Sequence, residues 1–338
     1  MFNDNDNMPK VFVPRVCPFG ASASVSNFLR ISELHCHLMR CLAMCNCFAY
    51  MDDFFPVELA ECSGSAMEFF YFLHGLTGAK IKHAKTIPPA EETVLLGLQV
   101  SLVHGQCRVT LTPERKTRLH ADIIALSKST IVDSKVAGKL SFCCEALFGR
   151  LGRAPCRVLI RKSLGKPIAD ASVRSALSML LQLLEAQHYA RDLILETQLH
   201  SSLKPFICYS DASTSYGIGI FSPAQHQLPL FYGQLQLQLQ QESINTLEML
   251  AATTTIESLR FWCANKCLLL FTDNSTCQYL ILRGSSPSER LNTMAGEFWR
   301  RLADLQIYHF FVAHVPSALN PADTLSRGEC PYTNCGFP

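Results

Sequence analysis

The sequence predicts an α/β protein of the mixed α+β kind, with more than one domain. Its 338 residues suffice for two or three domains, and a hydrophobic content of 48% supplies cores and excludes a disordered chain. From residue 206 onward, short apolar runs alternate with helical patterns in the order β-β-β-α-β-α-α-β. Three regions and a tail are therefore expected, at 1–110, 111–204, 205–328 and 329–338.

The first region mixes helix and strand signals after a loose leader of about 15 residues. Helical spacing of apolar residues runs from Ser26 to Met44. The apolar run from Cys47 to Val57, broken by Asp52-Asp53, predicts a strand-turn-strand hairpin. After a break at Lys85–Pro89, a strand is expected from Val94 to Val103, with a turn at His104-Gly105.

The middle region is predicted to be mostly helical and is strongly basic. Pro113 favours a helix start, and a helix is predicted at Glu114–Leu126. Further helices, separated by glycines and prolines, are expected up to a linker at Ser201–Pro205. From Arg108 to Lys166 the chain has thirteen Lys or Arg and four Asp or Glu. Such a band suits a phosphate backbone, the alternative being a solvated helical surface.

Cysteine usage and hydropathy indicate the cellular compartment that is expected for the protein. Sixteen cysteines without framework spacing, after the polar start Met1–Asn7, favour reduced thiols in an intracellular protein of the cytoplasm or nucleus. The Cys/His patch between His35 and Cys47 lacks the ligand spacing of a zinc site. No apolar run reaches the roughly 18 residues of a membrane span, so no membrane partner is expected.

The C-terminal region contains four acidic residues in metal-site contexts. Asp211 is predicted to lie on a strand at 206–211, and Asp273 ends a buried strand at 268–273. Glu248 falls in the first turn of a helix at 245–262, for which Asn245 is the expected N-cap. Asp323 opens a short helix after Pro321. The remaining expected elements are strands at 217–221, 229–239 and 307–314 and helices at 275–283 and 288–304.

These carboxylates predict a divalent metal site. Like charges gathered at the rim of a core repel each other unless a cation lies among them, and hard divalent ions prefer oxygen ligands. A pair of such ions can drive phosphodiester cleavage. His314, expected on a loop before Asp323, could carry a proton or help release product. For each acid alone, the alternative is an ordinary turn former.

The residues around these acids resemble the ribonuclease H domain of retroelement polyproteins. The matching segments are Tyr209–Ser213, Leu247-Glu248, Thr272–Asn274 and Asn320–Arg327. The resemblance spans about 205–328 and implies a mixed five-stranded sheet. It also implies cleavage of the RNA strand of RNA–DNA hybrids with two Mg²⁺ ions, Mn²⁺ being the alternative ion. The catalytic metal ligands would be Asp211, Glu248, Asp273 and Asp323, with His314 as the mobile histidine and Asn320 contacting nucleic acid.

The upstream region resembles part of a reverse transcriptase palm. Tyr50-Met51-Asp52-Asp53 is similar to the polymerase hairpin, whose carboxylates bind metal, and Pro18-Phe19-Gly20 to the segment contacting template and nucleotide. Lys85-Thr86 and Leu95–Leu98, with Gly97, resemble further template–primer contacts. The basic helical region, with Arg115 and Lys116, takes the place of thumb and connection. Together these segments suggest a DIRS-like or related LTR-type retrotransposon fragment; for the hairpin alone, the alternative is a surface turn.

The chain departs from the polymerase pattern. A polymerase site needs a further aspartate from an earlier strand, and only Asp4 and Asp6, in the polar leader, precede the hairpin. We therefore expect a ribonuclease H without primer extension. The alternatives are a non-catalytic nucleic-acid-binding remnant, or a structural domain whose acids are surface charges.

Overall fold

The computed structural model describes residues 22–103, 106–129, 131–185, 192–194, 204–237, 242–307 and 309–330. Two compact units divide the chain at Ala90–Glu91, and each is treated separately. The leader, Pro18-Phe19-Gly20, the expected turn at His104-Gly105, and most of the linker and tail lie outside the described residues.

The first unit contains the expected helix and hairpin. Residues 51 and 52 form the hairpin turn, with Met51 in the left-handed region at φ 56°. Buried side chains of the helices and hairpin, among them Met39, Cys47 and Phe70, form a small core. The elements are α1 (Ser22–Leu42), β1 (Asn46–Tyr50), β2 (Asp53–Val57) and α2 (Ser63–Thr77).

The second unit opens with an antiparallel sheet in the order β3-β4-β5-β6 and a helical bundle. The single strand expected at 94–103 is wrong, because a two-residue turn at Leu96 and Gly97, both at positive φ, divides it. β6 lies where helix was expected. The elements are β3 (Glu92–Leu95), β4 (Leu98–Val103), β5 (Gln106–Leu111), α3 (Pro113–Ser129), α4 (Ser134–Phe148), α5 (Arg153–Ser163), α6 (Asp170–Glu185) and β6 (Asp192–Ile194).

A mixed five-stranded sheet follows, as expected, in the order β11-β10-β7-β8-β9. Strands β11, β10 and β7 are parallel to one another, whereas β8 and β9 each pair antiparallel with the strand before them. The elements are β7 (Phe206–Ala212), β8 (Gly217–Ser222), β9 (Phe231–Gln236), α7 (Ile244–Ser258), α8 (Arg260–Cys263), β10 (Leu268–Thr272), α9 (Ser275–Arg283), α10 (Glu289–Asp304), β11 (Phe310–His314) and α11 (Asp323–Ser326).

The sheet and its helices share one apolar core, which fixes the orientation of α7. Leu247 and Ala251 face inward from α7 among buried residues such as Phe206 and Phe298. The expected N-cap at Asn245 is wrong. Ser243 has the extended backbone of a cap, and its hydroxyl accepts the Thr246 N–H, so the helix begins before Asn245.

The helical bundle contacts the C-terminal sheet region through α5 and α10. The two helices approach closely at Gly296, where an added Cβ would lie 3.0 Å from the Ala154 Cβ. The buried Asn292 side chain donates from Nδ2 to the Ala154 carbonyl at 3.0 Å. Trp299 packs against the core of the sheet region and against the separate apolar core of the helical bundle. The bundle and the sheet therefore belong to one packed unit.

Among the described helices, none combines the length and the apolar character needed to cross a membrane.

Candidate metal centre

Parallel pairing brings Asp211 and Asp273 to the same edge of the sheet. Tyr209 on β7 pairs with Phe271 on β10, so residues two positions further along are level with each other. Asp211 is the second-last residue of β7, and Asp273 directly follows β10. The apolar runs before them form the buried strands, which leaves both carboxylates at the carboxyl ends.

Close packing of α11 on β8 brings Asp323 to the same place. Gly219 is the partner of Asp211 in the β7–β8 ladder. A Cβ at Gly219 would collide with the Ala322 carbonyl and the Ser326 amide, so only glycine leaves room for α11. Carboxylate oxygens of Asp211, Asp273 and Asp323 all lie within 4.8 Å of one another. Within the described ranges, this is the one group of three or more metal-ligating side chains.

Glu248 adds a buried carboxylate to this group. It lies on α7 and is only 4% exposed. Burial, followed by the nearby charges of Asp211 and Asp273, raises the pKa of Glu248 to about 9. Its Oε2 atom is buried without a hydrogen-bond partner among the described residues. A buried carboxylate oxygen left in this way needs a proton or a cation.

Asp211 is held in place by two buried side chains. Ser326 donates from Oγ to Asp211 Oδ2 at 2.5 Å, and Asn320 donates from Nδ2 to Oδ1 at 3.4 Å and to the Ser210 carbonyl at 3.2 Å. Burial raises the pKa of Asp211 to about 7; the Ser326 hydrogen bond opposes this rise, and Asp273 adds to it. Because Asn320 is 4% exposed, its contacts are with the site and not with solvent.

Arg327 pairs with Asp323 through both oxygens. Its Nη2 donates to Oδ1 at 2.8 Å and its Nε to Oδ2 at 3.1 Å. This bidentate pair orients the Asp323 carboxylate and, among the ion pairs of the described residues, is the one that includes an acid of this group. Sequence reasoning included Arg327 in a motif but gave neither it nor Ser326 a role. Their spacing of three and four residues from Asp323, one helical turn, was the available signal.

His314 is the last residue of β11, in agreement with the strand expected at 307–314, whereas its expected place on a loop is wrong. It pairs with Thr272 of β10, one residue before Asp273. The ring is exposed, and its Nε2 lies 3.0 Å from the Asp273 carbonyl oxygen. In the tautomer that donates this hydrogen bond, Nδ1 is left to accept a proton.

The donor set fits hard divalent cations. Three carboxylates converge, a fourth is buried with an oxygen lacking a partner, and oxygen ligands are those that Mg²⁺ and Mn²⁺ prefer. Asp211, Asp273, Asp323 and Glu248 could hold such ions. A charge cluster of this kind is costly in a folded protein unless a cation offsets it.

The hairpin residues predicted as a polymerase remnant are exposed. Tyr50 ends β1, Met51 and Asp52 form the turn, and Asp53 begins β2. In the part of the chain that the structure describes, no third metal-ligating side chain joins the two aspartates. Gly20, predicted with them, lies outside the described residues.

The other predicted nucleic-acid contacts differ in their surroundings. Lys85 and Lys116 are exposed. Arg115 donates from Nη1 to the Leu96 carbonyl at 2.9 Å and lies 5.3 Å from the Phe142 ring centre, so it supports the turn at Gly97. A side chain at Gly97 would collide with this guanidinium. Arg115 and Gly97 therefore have a structural role in the hairpin between β3 and β4.

No family model matches the chain, and no curated protein matches it. Among solved structures, a foamy viral protease–reverse transcriptase with double-stranded DNA is 13% identical, with a TM-score of 0.38 over 86% of this chain and 49% of that one. A second, with an RNA/DNA hybrid, is 14% identical, with a TM-score of 0.37 over 95% and 41%. The chain thus spans about half the length of these viral proteins.

RNase H1 from the halophilic archaeon Halobacterium salinarum NRC-1 is also similar. It is 16% identical, with a TM-score of 0.30 over 36% of this chain and 93% of that chain. All three TM-scores lie below 0.5, so the assignment of a function rests on the site geometry described above.

Proposed function

We propose that residues 205–328 form a divalent-cation-dependent ribonuclease H that cleaves the RNA strand of RNA–DNA hybrids, within a fragment of a retrotransposon reverse transcriptase of LTR-type or DIRS-like kind. The observation that carries the proposal is the meeting of Asp211, Asp273 and Asp323 within 4.8 Å, beside the buried Glu248. The four come from four different elements, since Asp211 lies on β7, Glu248 on α7, Asp273 directly after β10 and Asp323 on α11.

Each acidic residue has a distinct task in this proposal. Asp211, fixed by Asn320 and Ser326, is the central ligand, and Asp273 and Asp323 flank it. Bound divalent ions supply an activated water and neutralise charge on the scissile phosphate. Glu248 closes the buried side of the site. Arg327 fixes the rotamer of Asp323 through its two hydrogen bonds.

His314 is suited to proton movement at the rim of this site. Its exposed ring is tethered to the Asp273 backbone, not to a carboxylate, so it lies beside the metal ligands without occupying them. We assign it to transferring a proton to the leaving oxygen or to assisting product release. Hybrid recognition itself rests mainly on backbone shape and 2′-hydroxyls.

The test is cleavage of a labelled RNA–DNA hybrid in Mg²⁺ by the wild-type chain and by Asp273→Asn. The matched control is Asp304→Asn, an aspartate on α10 that pairs with Arg300 away from the site. Cleavage by wild type and control, with none by Asp273→Asn, supports the proposal. Binding of the hybrid without cleavage by any of the three would support the non-catalytic remnant instead.

We also propose that the chain does not extend a primer. Asp52 and Asp53 are exposed on their turn, and the described residues offer them no third carboxylate. Metal-dependent incorporation of deoxynucleotides by the purified chain would contradict this. The nucleotide sequence upstream of the gene would show whether the missing aspartate is encoded in frame.

A further inference from the structure

An arginine-lined cleft lies between α4, α5 and the segment that joins α9 to α10. Its volume is about 280 Å³. Arg153, Arg157 and Arg161 are spaced by four residues, which places them on one face of α5. The charged and hydroxyl side chains that line the cleft are Ser141, Glu145, Arg153, Arg157, Arg161 and Ser285.

The outer two arginines are anchored by the protein itself. Arg153 pairs with Glu145 and donates from Nη1 to the Arg283 carbonyl at 3.0 Å. Arg161 donates from Nη1 to the Pro287 carbonyl at 2.5 Å. These contacts hold α5 against both ends of the α9–α10 segment.

Arg157, between them, has no such partner. Its Nε atom is buried with no acceptor among the described residues, and none of the ion pairs found in those residues includes it. Two further arginines, Arg161 and Arg283, act on it electrostatically. Burial first, and then these two positive charges, lower the pKa of Arg157. An unpaired guanidinium among like charges is costly unless an anion completes the group.

We infer that Arg157, Arg161 and Arg283 form a binding site for the phosphate oxygens of a nucleic-acid backbone. The planar guanidinium presents paired donors that match phosphate in a bidentate manner. The inference rests on the proposed function and adds to it a fixed second point of contact for the hybrid.

The fold sets the separation of this cluster from the carboxylates. α9 begins at Ser275, directly after Asp273-Asn274, and ends at Arg283. Ten residues at a rise of about 1.5 Å per residue span about 15 Å. At about 3.4 Å of helix axis per nucleotide of one strand, this is roughly four phosphates from the scissile bond. A duplex that runs from the carboxylates along α9 would therefore meet the cluster beyond the point of cleavage.

Binding is measured in the inactive Asp273→Asn background, so that cleavage does not enter the result. A fluorescent hybrid of about 20 base pairs is titrated at several salt concentrations. Arg157→Gln and Arg283→Gln should each weaken binding about tenfold and reduce the magnitude of the salt slope by about 1, because each removes one phosphate contact. Arg157→Lys should recover most of the salt slope. Arg300→Gln, on α10, is the control and should bind as the parent does.

The outcomes separate this inference from the proposed function. If Arg157→Gln and Arg283→Gln, folded by circular dichroism, bind the hybrid with the parental affinity and salt slope, the cluster is not a backbone site, even if the wild type cleaves. If the parent binds inorganic phosphate or ATP, and Arg157→Gln and Arg283→Gln lose that binding while their hybrid affinity stays parental, the site takes free phosphate and the inference is wrong. Loss of cleavage alone, with these binding differences intact, would contradict only the proposed function.

Discussion

Asp211 and Glu248 are two buried acids placed beside two further carboxylates. Each is less than 5% exposed, and each has a raised pKa caused first by burial. In the metal-free chain they are therefore a source of instability at neutral pH, and a bound cation removes that cost. This exchange between stability and metal binding makes the site testable without a substrate.

Glu248→Gln should raise the stability of the metal-free protein and abolish cleavage. The amide keeps the shape and cannot ionise, so the variant avoids the cost of protonating a buried carboxyl whose pKa is raised to about 9, a gain of about 1–3 kcal/mol. Melting in EDTA measures the stability. Glu257→Gln is the control, since Glu257 lies on the same helix and pairs with Arg260 at the surface. A lower melting temperature for Glu248→Gln would contradict the account.

Stability of the metal-free protein should fall as the pH rises from about 5 to 9. The pKa values of Asp211 and Glu248 in the folded chain, about 7 and about 9, exceed those of the unfolded chain. The folded state therefore binds more protons, and the stabilisation present at low pH is lost as the pH passes through these values. Added Mg²⁺ should raise the melting temperature more at pH 8 than at pH 5. Equal effects at both pH values would contradict the prediction.

His314→Ala should slow steady-state cleavage by tenfold or more while leaving metal-induced stabilisation unchanged, because its ring bonds to a backbone oxygen and not to a metal ligand's carboxylate. His309→Ala, just before β11, is the control. The comparison of single-turnover with steady-state rates locates the defect in chemistry or in product release. A loss of the Mg²⁺-induced rise in melting temperature would show that His314 instead supports the metal site.

Among the secondary-structure elements, the packing of α11 against β8 decides whether Asp323 reaches the site. Gly219→Ala should cost about 1–3 kcal/mol of stability and lower the affinity for Mg²⁺, because the added methyl group displaces α11. Gly233→Ala, on the next strand, is the control, as its Cβ would meet ordinary contacts at 3.5 Å or more. Unchanged Mg²⁺ titrations for Gly219→Ala would contradict this role for the glycine.

Several elements were predictable because their signals are local. Apolar runs that end in Asp211 and Asp273 give both the strands and the ends at which the acids lie. Ser243 and Asn245 both belong to residue types that favour helix N-caps, and only the backbone shows that Ser243 caps α7. The three-residue strand β6 owes its existence to pairing with β5, far away in sequence, so no local pattern marks it.

At the scale of the whole molecule, the candidate site and the arginine cleft belong to the unit Glu91–Pro338. A chain that lacks residues 1–90 should therefore retain hybrid cleavage at close to the full rate. The shortened chain is compared with the full chain after both have been checked by circular dichroism. A folded but inactive shortened chain would show that the first unit supplies part of the substrate site.

The arrangement of distant residues was the least predictable feature. A basic band was evident in the sequence, but the electrostatic effect of Arg283 on Arg157 depends on how α5 packs near α9. Likewise, Asn320 was predicted as a nucleic-acid contact, and its hydrogen bond to Asp211 depends on the packing of residues far apart in the sequence. Such pairings follow from tertiary packing, which residue spacing does not encode.

Anomalous diffraction from crystals soaked in Mn²⁺ shows where the protein binds divalent ions. We expect the anomalous peaks to lie between the carboxylates of Asp211, Glu248, Asp273 and Asp323, and to vanish in the Asp211→Asn variant. Mn²⁺ bound elsewhere on the protein, with none among these four side chains, would contradict the claim that they enclose a shared metal site.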